Sequence, residues 1–321
     1  VIRMEEVWAK AYSSSANLGS GFDVISLAHN AYYDVVAISA KKGNGDIKVE
    51  KIEGPFSSNV NENNSAAYAI KYMVKDLNIN NYDIFIKIFK GIPVSSGLGG
   101  SGASAAAAVL ALSNLLDLNL SKEQLIKYAG QGEIVSAGVP HYDNVAASLL
   151  GNLAIVGKID NQIYAYNFEI KANFIVFRPT NFYLNNKTQY MRSLLPKSVD
   201  FKDHTQDSIK LGILIASLLK GDLKAAGKAM NDTIVTGSRA KAVPCFNEIK
   251  ERLLNIGAYG VAISGAGPSI IALFDKNPEE LLQVGLNTYK ECGIQGEGKI
   301  VNPAPSASIL NGDNRGFPKP S

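Results

Sequence analysis

The sequence has few of the residues that staple or metallate a small fold: two cysteines, three histidines and one tryptophan in 321 residues. Cys245 and Cys292 lie far apart with no paired spacing, and His29, His141 and His204 form no short ligand motif, so neither a disulfide framework nor a structural zinc site is expected. Charge of one sign is also lacking. The 32 basic and 29 acidic side chains leave a formal +3, too little over this length for a nucleic-acid or anionic-membrane surface. No apolar run is long. Ala103 to Leu112 is about half of a bilayer span and contains Ser104, so it reads as a buried helix. The first ten residues, VIRMEEVWAK, have no apolar core of signal-peptide length and carry Glu5 and Glu6, which makes a cytoplasmic location the default expectation.

What is present suffices for two cores. With 46% hydrophobic and 19% charged residues the chain can bury enough apolar surface to fold, and its length fits about two domains of roughly 150 residues each. The first part reads as strands over Val7–Tyr12, Tyr33–Ser39 and Ile47–Ile52, the last two joined by a hairpin turn at Gly43, Asn44 and Gly45. A helix over Ser65–Leu77 and an alternating strand over Asp83–Phe89 follow, and Gly91 and Pro93 stop that strand. Ser121 and Gln124 have the spacing of a capping box, which starts a helix running to about Gly130 with Glu133 at its end. The later part mixes strands and helices without strict alternation, the signature of an α+β fold. Domains are expected over residues 1–169 and 170–302. Residues 303–321 hold four prolines and little apolar pattern, and are expected as a flexible tail.

Glycine, at 29 residues, matters where it clusters. Pro93 to Ala108 reads PVSSGLGGSGASAAAA, a glycine loop opening a helix, where unpaired N–H groups and the positive end of the dipole suit a phosphate. Gly97, Gly99 and Gly102 also satisfy the dinucleotide fingerprint, but Gly91 to Ser96 separate the loop from its strand and no clean second βα unit follows. A Walker loop is excluded because no Gly-Lys pair precedes a serine or threonine. Small residues that merely let a helix pack closely are the plainer reading. Two further glycine segments weigh against it: YSSSANLGSGFD at Tyr12–Asp23, and GVAISGAGPSIIAL at Gly260–Leu273, a hairpin by default.

Four segments in order resemble the GHMP family of small-molecule kinases, named for galactokinase, homoserine kinase, mevalonate kinase and phosphomevalonate kinase. SANLGSGFD resembles the family's N-terminal substrate motif, GLGGSGASAAAA its phosphate loop, HYDNVAASLLGN its central segment and SGAGPS its C-terminal glycine motif. The resemblance covers roughly residues 10 to 300. Departures are Gly100, Ser101 and Gly102 where two serines and an alanine are usual, and Tyr142 for a common proline. The implied fold is a two-domain α+β kinase, with an N-terminal domain like the second domain of ribosomal protein S5 and a ferredoxin-like C-terminal domain. The implied activity is phosphorylation of a small alcohol by ATP with Mg²⁺, by an enzyme expected to be a homodimer.

Residue roles follow from the same resemblance. Pro93, Ser95, Ser96, Gly97, Leu98, Gly99, Gly100, Ser101, Gly102 and Ala103 would hold the nucleotide, and Ser101 and Glu133 offer hard oxygens to Mg²⁺. Absent the motif, these two would read as a helix cap and a solvated helix-end glutamate. Around Asn59 to Ser65 is where adenine contacts are sought. An amino-acid acceptor, L-homoserine, needs partners of both signs, and Asn17 with Asp23 suit its ammonium while Arg192 and Arg239, two of only six arginines, suit its carboxylate. The plainer alternative is a surface arginine pair. Thr188 shares a helical face with Arg192, and His141 joins the substrate side. Asn144 is expected to orient the acceptor hydroxyl, with Asp143 a candidate base; alone, HYDN would be an ordinary helix cap. Mevalonate or shikimate is the alternative acceptor, and a non-catalytic sensor the alternative class.

Overall fold

The computed structural model of the chain describes residues 2–57 and 64–318. The first half runs β1 (Val7–Ala16), β2 (Ile25–Lys42), β3 (Ile47–Glu53), α1 (Ser65–Asp76), β4 (Tyr82–Phe89), α2 (Gly100–Leu115), α3 (Lys122–Gly132), α4 (Ile134–Ala137), α5 (Asp143–Leu150), β5 (Leu153–Ile159) and β6 (Gln162–Phe168). The second runs β7 (Asn173–Pro179), α6 (Lys187–Ser193), α7 (Phe201–Lys220), α8 (Leu223–Ala229), α9 (Val235–Arg239), α10 (Phe246–Asn255), β8 (Gly260–Ile263), β9 (Ile270–Phe274), α11 (Pro278–Glu291), β10 (Gly296–Val301) and β11 (Ser308–Leu310). Among the described residues no helix is long and apolar enough to cross a membrane.

The first sheet has seven strands, with β11-β1-β2-β4-β3 in order and β5 and β6 joined through the start of β2. At 18 residues, β2 is long enough to pair β1 along one edge and both β5 and β4, in separate stretches, along the other. The alanine-rich α2 is apolar on all sides because it is covered on all sides: β1 and β2 lie beneath it and α1, α3 and α5 flank it. Alanine lets those neighbours approach closely, and Ala103 and Ala105–Ala108 are fully buried. The capping box forms, with the Gln124 N–H donating to Ser121 Oγ and the Ser121 N–H to the Gln124 side chain.

The second sheet is antiparallel in the order β10-β7-β9-β8. Counting its strands along the chain gives 4-1-3-2, the ferredoxin-like arrangement, with α10 and α11 packed on one face. Phe177, Phe246, Leu253, Leu281 and Tyr289 fill the space between.

Three expectations are corrected. Gly43–Gly45 reverses the chain but does not make a hairpin: β4 takes the edge of β2, antiparallel, and β3 lies outside β4, parallel to it. Turn chemistry sets the reversal, not the pairing, and here Asp83 on β4 accepts the N–H groups of Asn44 and Asp46 and so seats the turn against the inserted strand. Cys245 and Cys292 form a disulfide, because α10 and α11 pack side by side and bring the start of one helix to the end of the other, 6.2 Å between Cα atoms. Residues 303–310 are not a loose tail. Pro303 bridges to His29, the Ala304 N–H donates to the Ala28 carbonyl, and β11 adds a strand beside β1.

Candidate active site

Three glycine segments converge at the start of α2. The Ser14 N–H donates to the Leu98 carbonyl at 3.0 Å, the Ser269 N–H to the Ser96 carbonyl at 3.0 Å, and the Gly265 N–H to the Ala16 carbonyl at 3.0 Å. Two glycines are required here. Gly97 has φ +81°, and a Cβ on it would stand 2.5 Å from the Ser264 oxygen and 2.6 Å from that of Gly267. Gly99 has φ +68°, and its Cβ would meet Ser14 Oγ at 2.2 Å and Asn144 Oδ1 at 3.0 Å. Gly99 caps α2 without a side chain, so the first N–H groups of a 16-residue helix are left for an anion.

Behind the loop a buried charge fixes its entry. Asp34, fully buried on β2, accepts the N–H groups of Gly91 and Ile92 at 2.9 and 3.0 Å and the Ser104 hydroxyl at 2.6 Å, and it ion-pairs with Lys90. Lys90 also donates to the Gly100 carbonyl at 3.1 Å and to Ser104 at 2.9 Å. Both charges are therefore satisfied, as burial demands. One side of the cleft is thereby clamped from β2 and β4.

A second chain of contacts holds the loop from below. Strand alternation in β1 points Ser13 and Ser15 toward buried His29 and Ser14 the opposite way, at an irregularity where β2 carries residues 29–32 between the partners of Ser14 and Tyr12. His29 lies 3.1 Å through Nδ1 from Ser13 Oγ and 3.0 Å through Nε2 from Ser15 Oγ; Ser264 Oγ lies 2.7 Å from both Ser15 Oγ and the Gly97 carbonyl. With the proton on Nε2, His29 donates to Ser15, Ser15 to Ser264, and Ser264 to Gly97, while the Ser13 hydroxyl proton is shared between His29 Nδ1 and the His29 carbonyl, 3.0 Å away. Burial pushes His29 down to about 3, so the chain stays neutral.

The cleft in front of the loop has a volume of about 420 Å³. Glu133, at the junction of α3 and α4, is 7% exposed, and its Oε1 has no hydrogen-bond partner among the described residues. Burial pushes its carboxyl up to about 7, opposed by a hydrogen bond from Ser101 and reinforced by Asp143. Asp143, at the start of α5, is pushed up to about 6 by burial and then by Asp23, while the Asn144 N–H donates to its Oδ1 at 2.8 Å. Asn144 Oδ1 accepts from Ser14 at 2.7 Å and more weakly from Ser26, which leaves its amide N–H donors for the cleft.

Opposite stands a charged pocket. Arg192 on α6 bridges both oxygens of Asp23 at 2.9 and 3.0 Å and reaches His141 Nδ1 at 3.3 Å. The His141 ring is lowered by burial, then by the Arg192 charge. Arg239 at the end of α9 is buried, donates through Nε to the Met191 carbonyl at 2.9 Å, and is lowered to about 10 by burial and then by Arg192. Both guanidinium groups stack on Phe22, 5.4 and 5.2 Å from its ring centre. Asn17 steadies the pocket, its Oδ1 accepting the Asp23 N–H at 3.1 Å and its Nδ2 donating to the Gly265 carbonyl.

Of the residues singled out from sequence, Asn17, Asp23, Pro93, Ser95–Ser101, Glu133, His141, Asp143, Asn144, Thr188, Arg192 and Arg239 all line this cleft. Gly102 and Ala103 do not: they are buried in α2, where a Cβ on Gly102 would press on Val145 and Asn144 of α5. Asp23 and Arg192, expected to face opposite ends of a substrate, hold each other. Residues 59–63 of the segment sought for adenine lie outside the described residues; Asn64 and Ser65 line the cleft. Sequence reading missed Ser14, Phe22, Asp34, Lys90 and Lys187. A charge inside the apolar run Tyr33–Val36 was the one signal available for Asp34.

Fold and cleft together define a two-domain α+β kinase for small molecules. Residues 64–152 match the GHMP kinases N terminal domain and residues 214–291 match GHMP kinases C terminal. The homoserine kinase of Aeropyrum pernix is 39% identical over 307 residues, 94% of this chain and 97% of that protein. The homoserine kinase of Saccharolobus solfataricus is 39% identical over 296 residues, 91% of this chain and 94% of that protein. Among solved structures, the homoserine kinase from Cytophaga hutchinsonii has a TM-score of 0.84 at 27% identity, covering 95% of this chain and 97% of that one. The chain belongs to the GHMP kinases.

Proposed function

We propose that the chain is an ATP-dependent homoserine kinase. It transfers the γ-phosphoryl group to the side-chain hydroxyl of L-homoserine, releasing O-phospho-L-homoserine, ADP and a proton, on the route to threonine. One observation carries the reading: Asp23, Arg192 and Arg239 face the glycine loop across the cleft with charges of both signs. A zwitterion entering there gives its ammonium to Asp23 and its carboxylate to the arginines, so one ion pair is exchanged for two. Mevalonate and shikimate have no ammonium and leave Asp23 without that partner. Residues 1–169 and 170–302 form the two walls in this reading.

Backbone N–H groups from Gly97 to Ser101 receive the phosphates at the helix start. Mg²⁺ fits between Ser101 and Glu133, since a buried carboxylate oxygen without a partner beside a hydroxyl is a hard-oxygen donor pair; bound there it neutralises phosphate charge. Thr188 and the arginines fix the acceptor. Asn144 donates to the acceptor oxygen and sets its approach, while its own carbonyl is held by Ser14. The bond from that oxygen to the γ-phosphorus forms as the bond to the β,γ-bridging oxygen breaks. A loose transition state needs little early deprotonation, so positioning does most of the work and Asp143 receives the proton late.

A panel of acceptors with ADP release as readout tests this. L-Homoserine is expected to drive release and mevalonate or shikimate not. Turnover of either of those but not of homoserine contradicts the assignment, and ATP binding without ADP release for any acceptor favours a sensor.

A further inference from the structure

Among the described residues four cations line the cleft: Lys90, Lys187, Arg192 and Arg239. Three are committed. Lys90 is paired with buried Asp34, Arg192 with Asp23, and Arg239 is buried with its Nε on the Met191 carbonyl and its face on Phe22. Lys187 differs, since among the described residues it donates to a neutral acceptor, the Gly267 carbonyl, at 2.5 Å. That carbonyl is also the atom 2.6 Å from where a Cβ on Gly97 would stand, so the ammonium sits beside the glycine loop. Lys187 is the first residue of α6, entered through Asn186 at φ +49°, and the same helix carries Thr188 and Arg192. One short helix thus presents a cation to the loop and two side chains to the acceptor pocket.

From this geometry we infer that Lys187 is a catalytic residue that contacts the transferring phosphoryl group, exchanging the Gly267 carbonyl for a γ-phosphate oxygen when a nucleoside triphosphate is bound. The inference rests on the kinase reading but not on the identity of the acceptor. Negative charge on the phosphoryl oxygens and on the departing β-phosphate is shared as the bond to the bridging oxygen breaks, and a fixed ammonium there stabilises that distribution. Lys187 gives and takes no proton. A lysine suits the task because its compact charge swings on a flexible stem from a carbonyl to a phosphate oxygen.

Two measurements test it. The first needs no acceptor: the wild-type protein with Mg²⁺ is treated with acetic anhydride, and modification of Lys187 is followed by mass spectrometry. The β,γ-imido analogue of ATP is expected to slow acetylation of Lys187 at least tenfold and ADP less than threefold; equal protection by both, or none, overturns the proposal. The second is Lys187→Gln in the acceptor assay. With the same melting temperature as wild type, it is expected to lower kcat at least 100-fold with the acceptor KM within threefold, and Lys187→Arg to recover to within tenfold of wild type. A kcat within threefold of wild type in the glutamine variant overturns it. If no acceptor is turned over by the wild type, the homoserine reading fails while the labelling result still decides Lys187.

Discussion

Glu133 illustrates how a single residue trades stability for function. Its carboxyl holds a proton up to about pH 7 in the folded chain but loses it near the ordinary 4.5 when unfolded. Between those values the folded state binds more protons, so stability falls as pH rises, and the loss is complete above pH 7. A carboxyl kept buried with one oxygen lacking a partner among the described residues is costly unless a ligand completes it. Glu133→Gln removes the ionisation. Urea unfolding of the ligand-free protein is expected to show equal stability for variant and wild type near pH 4.5, and an advantage of about 3 kcal/mol for the variant above pH 7, while kinase activity is lost. No pH-dependent gap would mean that the carboxylate is already compensated. At this scale the sequence was informative where a motif surrounded a residue, as for Ser101 and Asn144; Arg239, outside all four motifs, was reached through the scarcity of arginine and the charge an amino-acid acceptor needs. It was silent for Lys187, whose surroundings come from distant segments, and for Phe22, which sits inside SANLGSGFD but whose arginine partners lie in the second half of the chain.

Among elements, the legible features were local. The capping box, the alternating strand β4, the hairpin of β8 and β9 and the buried α2 depend on periodicity and turn residues within one stretch of chain. The insertion of β4 beside β2, the disulfide and the β11 strand were not legible, because each depends on which surfaces meet after folding. The hydrogen-bond chain from His29 through Ser15 and Ser264 to Gly97 is of the same kind, tying β2, β1 and the hairpin of the second sheet to one carbonyl of the glycine loop. Its members are buried, so breaking it strands hydroxyls that water cannot reach. His29→Leu is expected to cost about 2 to 4 kcal/mol in urea unfolding at pH 7, and the gap is expected to narrow by about 2 kcal/mol on going to pH 5, because the unfolded wild-type chain takes up a proton below the ordinary 6.5 that the folded histidine, held down to about 3, does not. A loss below about 1 kcal/mol would place the chain on a par with one ordinary hydrogen bond.

Over the whole molecule, the two sheets do different jobs at one cleft. The first supplies the helix start, the carboxylates of α3 to α5, the serines of β1 and Lys90; the second half supplies the SGAGPS turn and, through α6 and α9, Lys187, Arg192 and Arg239. The near-neutral net charge fits this division, since phosphate meets backbone N–H groups and a few placed side chains rather than a basic surface. The order of the four motifs was enough to foresee that the walls meet, though not that Asp23 and Arg192 close on each other across the cleft. The central claim, phosphoryl transfer to homoserine, is tested most directly by identifying the product. With ATP, Mg²⁺ and L-homoserine, ³¹P NMR is expected to show one phosphate monoester coupled to a methylene group appearing in equal amount with ADP. Inorganic phosphate with ADP, or an unchanged ATP spectrum, would contradict it.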